Sequence, residues 1–130
     1  MLDVHEMDFS YLAAQRTRIW LSDQADKALR KLKRKGNIAF FTKLDDCVER
    51  GFANFIGTAI RPEPYRTWRF GVRDCKTRMA GFFENDGTMA EFIVPTAFTK
   101  EGNANTPAQN DIYKDIGDIR DKKTYRKVTP

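Results

Sequence analysis

The chain predicts an α+β fold: a small twisted antiparallel sheet with two N-terminal helices and one C-terminal helix. Three observations carry that prediction. Residues 65–107 contain three short runs rich in aromatic and β-branched residues, separated by turn signals. Upstream, residues 22–55 hold two apolar stripes at helical spacing. Downstream, Thr106-Pro107-Ala108-Gln109 reads as a helix start, with Thr106 as cap, Pro107 at the first position and Gln109 closing a capping box.

The 130 residues suit one domain. In residues 1–16, an N-terminal extension, two patterns compete. Leu2, Val4 and Met7 fit a short strand, while Phe9, Leu12, Ala13 and Arg16 have helical spacing. Thr17 to Leu21 reads as a strand, and Ser22 or Asp23 caps the first helix. Its buried stripe is Leu21, Ala25, Ala28 and Leu32. Lys27, Arg30, Lys31, Lys33, Arg34 and Lys35 crowd the remaining surface until Gly36-Asn37 ends it. That surface is either a solvated helix face or a polyanion contact through Arg30, Lys31 and Arg34.

The second helix is expected from about Ala39 to Asn54, on a stripe of Phe41, Leu44, Val48, Phe52 and Phe55. Asp45, Asp46 and Glu49 form its solvated side. Gly57 to Pro64 reads as a stiff loop, because Arg61-Pro62-Glu63-Pro64 carries two prolines.

The register of the three sheet runs follows from their turns. A two-residue connection at Asp74-Cys75 makes Arg73 face Lys76 and Arg69 face Ala80. With side chains alternating, Arg69 and Arg78 become same-face diagonal neighbours, roughly 7–8 Å apart at the backbone. Trp68, Phe70 and Val72 fall on the opposite, core face. A three-residue Asn85-Asp86-Gly87 turn with left-handed Gly87 would oppose Glu84 to Thr88 and Arg78 to Val94. Thr96 and Phe98 then share the arginine face, Lys100 lies just beyond, and Glu91 is left on the core side. Phe82 and Phe98 either line a groove or lie beneath the last helix.

The final helix has an apolar stripe of Ala108, Ile112, Ile116 and Ile119, with Gly117 costing it about 1 kcal/mol. Residues 122–130, with Lys122, Lys123, Tyr125, Arg126 and Lys127, are expected to be a flexible tail.

Composition narrows the chemistry. Lys and Arg outnumber Asp and Glu by 23 to 18, and this excess of +5 favours a polyanionic partner. Cys47 and Cys75 fit no metal-ligand spacing and read as free thiols of a reducing, cytoplasmic protein. The first twenty residues read as no signal peptide, and no run approaches the roughly 18 apolar residues of a membrane span. His5 is the sole histidine, which argues against Ser-His or Cys-His nucleophiles; it reads as a surface residue. No Gly-rich phosphate loop or Cys-x-x-Cys is present.

The order and spacing of Trp68-Arg69-Phe70, of Thr77-Arg78-Met79-Ala80-Gly81-Phe82-Phe83, and of Ala97-Phe98-Thr99-Lys100 before Thr106-Pro107 resemble the RelE/HigB superfamily of bacterial toxins, especially its phage-derived branch. The resemblance covers about residues 17–121. It implies a RelE-like fold and the toxin role of a type II toxin-antitoxin system. That role is metal-independent endonucleolytic cleavage of mRNA (an mRNA interferase), commonly on the ribosome, without cofactor, and neutralised by a cognate antitoxin such as a small helix-turn-helix protein. By position, Arg69, Arg78 and Lys100 match the family's cations. Many phage-type members have histidine where this chain has Thr96 and a second lysine where it has Glu101, and the loop from Lys100 to Thr106 is one residue longer.

The residues suit such chemistry. Arginine forks hold phosphate oxygens at two points and keep their charge. Lys100 would either bind phosphate or, with a lowered pKa, move a proton, and Glu101, if it points inward, is an alternative base. Tyr65, expected on the Arg69 face, would stack a base or donate a hydrogen bond. Arg73 and Lys76 would add RNA contacts. Two other readings stay open: a non-catalytic RNA-, ribosome- or protein-binding module on the same scaffold, and a protein whose only role is pairing with another chain.

Overall fold

The computed structural model describes residues 1–100, 102 and 105–129. It is an α+β protein whose seven strands form one mixed sheet in the order β3-β4-β5-β6-β2-β1-β7. The strands are β1 (Leu2–Glu6), β2 (Arg18–Leu21), β3 (Ile60–Glu63), β4 (Thr67–Phe70), β5 (Thr77–Phe83), β6 (Glu91–Thr99) and β7 (Tyr125–Val128). Helices α1 (Asp23–Arg34) and α2 (Ile38–Arg50) precede the central strands, and α3 (Pro107–Lys122) follows them. The sheet is mixed rather than purely antiparallel, since β2 runs parallel to β6 and β1 parallel to β7.

Alternation along the strands splits the core in two. Ile19, Phe70, Met79, Phe83, Phe92 and Val94 pack against Ala25, Leu29, Phe40 and Leu44 of α1 and α2. Their neighbours Trp20, Ala80, Phe82 and Ile93 pack instead against Tyr113 and Ile116 of α3. Phe82 and Phe98 therefore lie beneath the last helix. Local signals behave as read at α1, where the Ser22 hydroxyl accepts from the Ala25 N–H at 3.1 Å. The Thr106/Gln109 capping box forms at α3.

Several expectations are corrected. α2 stops at Arg50, because Gly51 (φ 94°) turns the chain into a short 3-10 segment, Phe52–Phe55. The stripe of α3 is rotated from the expected one: Gln109, Tyr113, Ile116 and Gly117 are buried, and Ala108 is exposed. Gly117 is there because a Cβ would come within 3.0 Å of Tyr65 Cβ. The expected stiff loop from Gly57 to Pro64 contains β3, which pairs antiparallel with β4. The tail is not free: β7 lies along β1, Tyr125 packs edge-on against Phe82 at 5.2 Å, and the Lys127 ammonium sits 4.9 Å from the Trp20 ring centre.

The β4–β5 register is the expected one, with Arg69 opposite Ala80, although the connection spans residues 71–76. The β5–β6 register is not. Arg78 faces Phe98, four residues further along than expected, and a bulge lies between Ala80/Thr96 and Phe82/Ile93. Pro95 sits in that bulge, where it forgoes no ladder hydrogen bond. Gly81 faces it, and a Cβ there would strike the Ile93 carbonyl oxygen at 2.0 Å. The turn is also different, since Met89 (φ 50°), not Gly87, takes the left-handed position. The bulge reverses the facing of residues before it. Glu91 is thereby carried off the core side and accepts from the Trp20 indole N–H at 3.2 Å.

Candidate functional site

Strand alternation puts a group of cations on the α3 side of the sheet, at its β3–β4–β5 end. Trp68 and Phe70 pack toward α1 and α2, so Arg69 between them faces the other way. The pairing of Arg69 with Ala80 makes Arg78 its diagonal neighbour. Arg61 of β3 stands directly opposite Arg69 on the adjoining strand. Lys100 follows β6 and is held in place by its backbone N–H, which donates to the Lys76 carbonyl at 2.8 Å. Arg61, Arg69, Gly71, Arg73, Arg78 and Lys43 border a cavity of about 600 Å³.

Like charges this close repel unless an anion intervenes. The chain supplies one. Glu63 accepts from Arg69 Nε at 2.7 Å and, through its other oxygen, from Asn105 Nδ2 at 2.7 Å. Among the described residues, Arg78 has no carboxylate partner. Its guanidinium donates to the carbonyls of Cys75 and Thr77, and its stem lies over Gly71. A Cβ at Gly71 would meet Arg78 Cδ at 2.5 Å, so the absent side chain makes room for the arginine.

The titration shifts follow from this crowding. Burial, and then the neighbouring Arg69 charge, lowers the Arg78 pKa. Lys100 is only 8% exposed, and its pKa is also lowered, first by burial and next by Arg69; Glu63 partly opposes this, while Arg78 and Arg61 add to it. Tyr113 of α3 is fully buried, and its phenol is pushed up by burial and then by Glu63. It is a neutral hydroxyl across the working pH range. The group can hold a phosphate-like anion, and its lysine releases a proton more readily than an exposed one.

Of the residues singled out from sequence, Arg69 and Arg78 border the cavity, Arg73 lies on its rim, and Lys100 lies near enough for both of the first two charges to act on it. Glu101 lies outside the described residues. Lys76 is exposed and enters only through its backbone carbonyl. Tyr65 does not line the Arg69 cavity. It is 52% exposed on a left-handed turn (φ 65°) and borders its own cleft with Arg66, Gly117 and Arg120. Arg30, Lys31 and Arg34 ride on α1, across the sheet from the cations, and Arg30 pairs with Asp26 at 2.8 Å. Thr96 faces Ala80 on the arginine side. Sequence reasoning passed over Arg61, Glu63, Asn105 and Tyr113. The period-two facing of Arg61 and Glu63 was a usable signal, masked by the prolines beside them.

Fold and site together define an α+β protein with a cationic cavity of about 600 Å³ at one end of a mixed sheet. Among the described residues no helix is long and apolar enough to cross a membrane, and no group of three or more His, Cys, Asp or Glu is placed to hold a metal ion. Comparison of the chain with protein-family models, curated proteins and solved structures finds no match.

Proposed function

We propose that the chain is a RelE/HigB-like toxin, an endoribonuclease that cuts mRNA on the ribosome in the cytoplasm and is held in check by a cognate antitoxin. The observation that carries this reading is that Arg69 and Arg78, from adjacent strands, border one cavity, with Lys100 near enough for both of their charges to act on it. The sequence resemblance selects the same three residues.

In this reading an RNA phosphodiester enters the cavity and its non-bridging oxygens take the Arg69 and Arg78 guanidinium groups. The 2′-hydroxyl gives its proton to a solvent water as its oxygen bonds to phosphorus. The phosphorus–5′-oxygen bond breaks, the 5′-oxygen takes up a proton, and a 2′,3′-cyclic phosphate remains. The arginines stabilise the extra negative charge of the pentacovalent stage. Lys100, with its lowered pKa, hands a proton to the leaving oxygen. Glu63 keeps the Arg69 fork oriented.

The test is inducible expression of the wild type beside Arg69→Ala and Arg78→Ala. Growth arrest with new mRNA 5′ ends that both variants lose is the expected outcome. Normal growth with intact transcripts removes the reading.

A second reading, a non-catalytic RNA-binding module, is favoured by one observation. Thr96 stands where many relatives carry histidine, and the sole imidazole, His5, is on β1, three places along the sheet from β5. Salt-sensitive RNA binding without strand scission would establish it.

A further inference from the structure

Among the described residues, three buried side-chain atoms have no hydrogen-bond partner: Arg78 Nε, Tyr113 Oη and Asn105 Oδ1. Such atoms are few in folded proteins, and each calls for an explanation. All three belong to one cluster. Asn105 and Arg69 share the two oxygens of Glu63, Arg78 is the diagonal neighbour of Arg69, and Tyr113 packs edge-on at 6.1 Å against Phe98, the residue opposite Arg78.

The orientation of the Asn105 amide is fixed by chemistry. A carboxylate only accepts, so the NH₂ end must face Glu63 and the carbonyl end must face away. The cluster thus offers two unused donors, Arg78 Nε–H and the Tyr113 O–H, beside one unused acceptor, Asn105 Oδ1. A plain anion would satisfy the donors and leave the acceptor empty. A ribose phosphate satisfies all three, because its phosphate oxygens accept and its 2′-hydroxyl donates.

We propose that Tyr113 and Asn105 are substrate-binding residues: Tyr113 donates to a phosphate oxygen, and Asn105 Oδ1 accepts from the adjacent 2′-hydroxyl, so that Asn105 distinguishes RNA from DNA. This rests on the ribonuclease reading of the cavity. The Tyr113 hydroxyl is buried in the resting chain, so the phosphate reaches it only when the side chains over it move aside.

The test uses two single-stranded oligopyrimidines that resist cleavage at the sugar. One carries 2′-amino groups, which donate, and the other 2′-fluoro groups, which do not. The wild type is expected to bind the 2′-amino strand about tenfold more tightly, as loss of one buried hydrogen bond implies. Asn105→Ala should equalise the two. Tyr113→Phe should weaken both alike, by about tenfold, while leaving thermal stability unchanged or raised, because it removes an unpartnered buried hydroxyl. Equal binding of both strands by the wild type, lost in Arg69→Ala, overturns the assignment and leaves the ribonuclease reading standing. Tyr113→Phe with unchanged affinity also overturns the role of Tyr113. Absence of binding to either strand removes the reading and the assignment together.

Discussion

The Arg69 guanidinium donates to the Glu63 carboxylate at 2.7 Å, with the side chains only 18% and 9% exposed. This pair joins adjacent strands and is the one carboxylate contact of the cationic group among the described residues. Its near-burial gives it consequences that an exposed pair would lack.

Glu63→Gln leaves Arg69 uncompensated beside Arg61, Arg78 and Lys100. It should destabilise the fold by about 3 kcal/mol, the scale for breaking a buried pair. Arg69→Met on that background should recover part of the loss, because the stranded cation is gone. Urea denaturation of the four members of the cycle measures both effects.

Gly71→Ala separates site geometry from stability. The atoms a Cβ would strike are the far end of Arg78, with Cδ at 2.5 Å and Nε at 2.7 Å, and that end can move. Stability should change by less than about 1 kcal/mol. On the proposed ribonuclease reading, RNA cleavage should fall nearly as far as in Arg78→Ala. Unaltered cleavage would show that the resting placement of Arg78 is unimportant.

Lys100 makes stability depend on pH. Its folded pKa lies below the ordinary value of 10.5, so the unfolded chain holds the proton more tightly. The penalty for burying the charge is fully present below the folded pKa. It is relieved as pH rises from there toward 10.5. Tyr113 and Cys47, the latter pushed up to about 12 by burial, act oppositely at alkaline pH, so the difference between wild type and Lys100→Met is the quantity to follow. Lys100→Met should be the more stable protein at neutral pH, with its advantage shrinking as pH approaches 10.5.

Removal of residues 124–130 should destabilise the chain by about 3 kcal/mol or more, the typical cost of deleting a packed aromatic. It strips Tyr125 from Phe82, Lys127 from Glu84, Glu91 and Trp20, and the Thr124 carbonyl from the Leu2 N–H. A truncated chain as stable as the full one would return β7 to the status of a loose tail. Circular dichroism during thermal melting decides this.

Much of the architecture is legible locally. Ser22 and the Thr106/Gln109 box mark their helix starts, and Gly36 marks a helix end, because the signals and the groups they satisfy lie within a few residues of each other. The β4–β5 register is legible for the same reason. Arg69 and Arg78 are set on one face by a short connection and a period of two. Lys100 joins them because the error in the β5–β6 register was four residues, an even number that preserves facing.

The failures share a cause. β3 and β7 are edge strands, made by the neighbours they pair with rather than by strong patterns of their own. The parallel pairs β2–β6 and β1–β7 join segments about 70 and 120 residues apart, which no window of sequence contains. The bulge at Pro95 has a local marker, yet only its fit against Gly81 shows which way Glu91 turns.

By itself the sequence determined the helix caps, the strand runs of the meander and the common face of its two arginines, since neighbouring residues decide each of these. Only the tertiary structure decided that Arg61, Glu63, Asn105 and Tyr113 would close around that face. Burial and electrostatic coupling arise when distant segments exclude water together, and that is settled by packing.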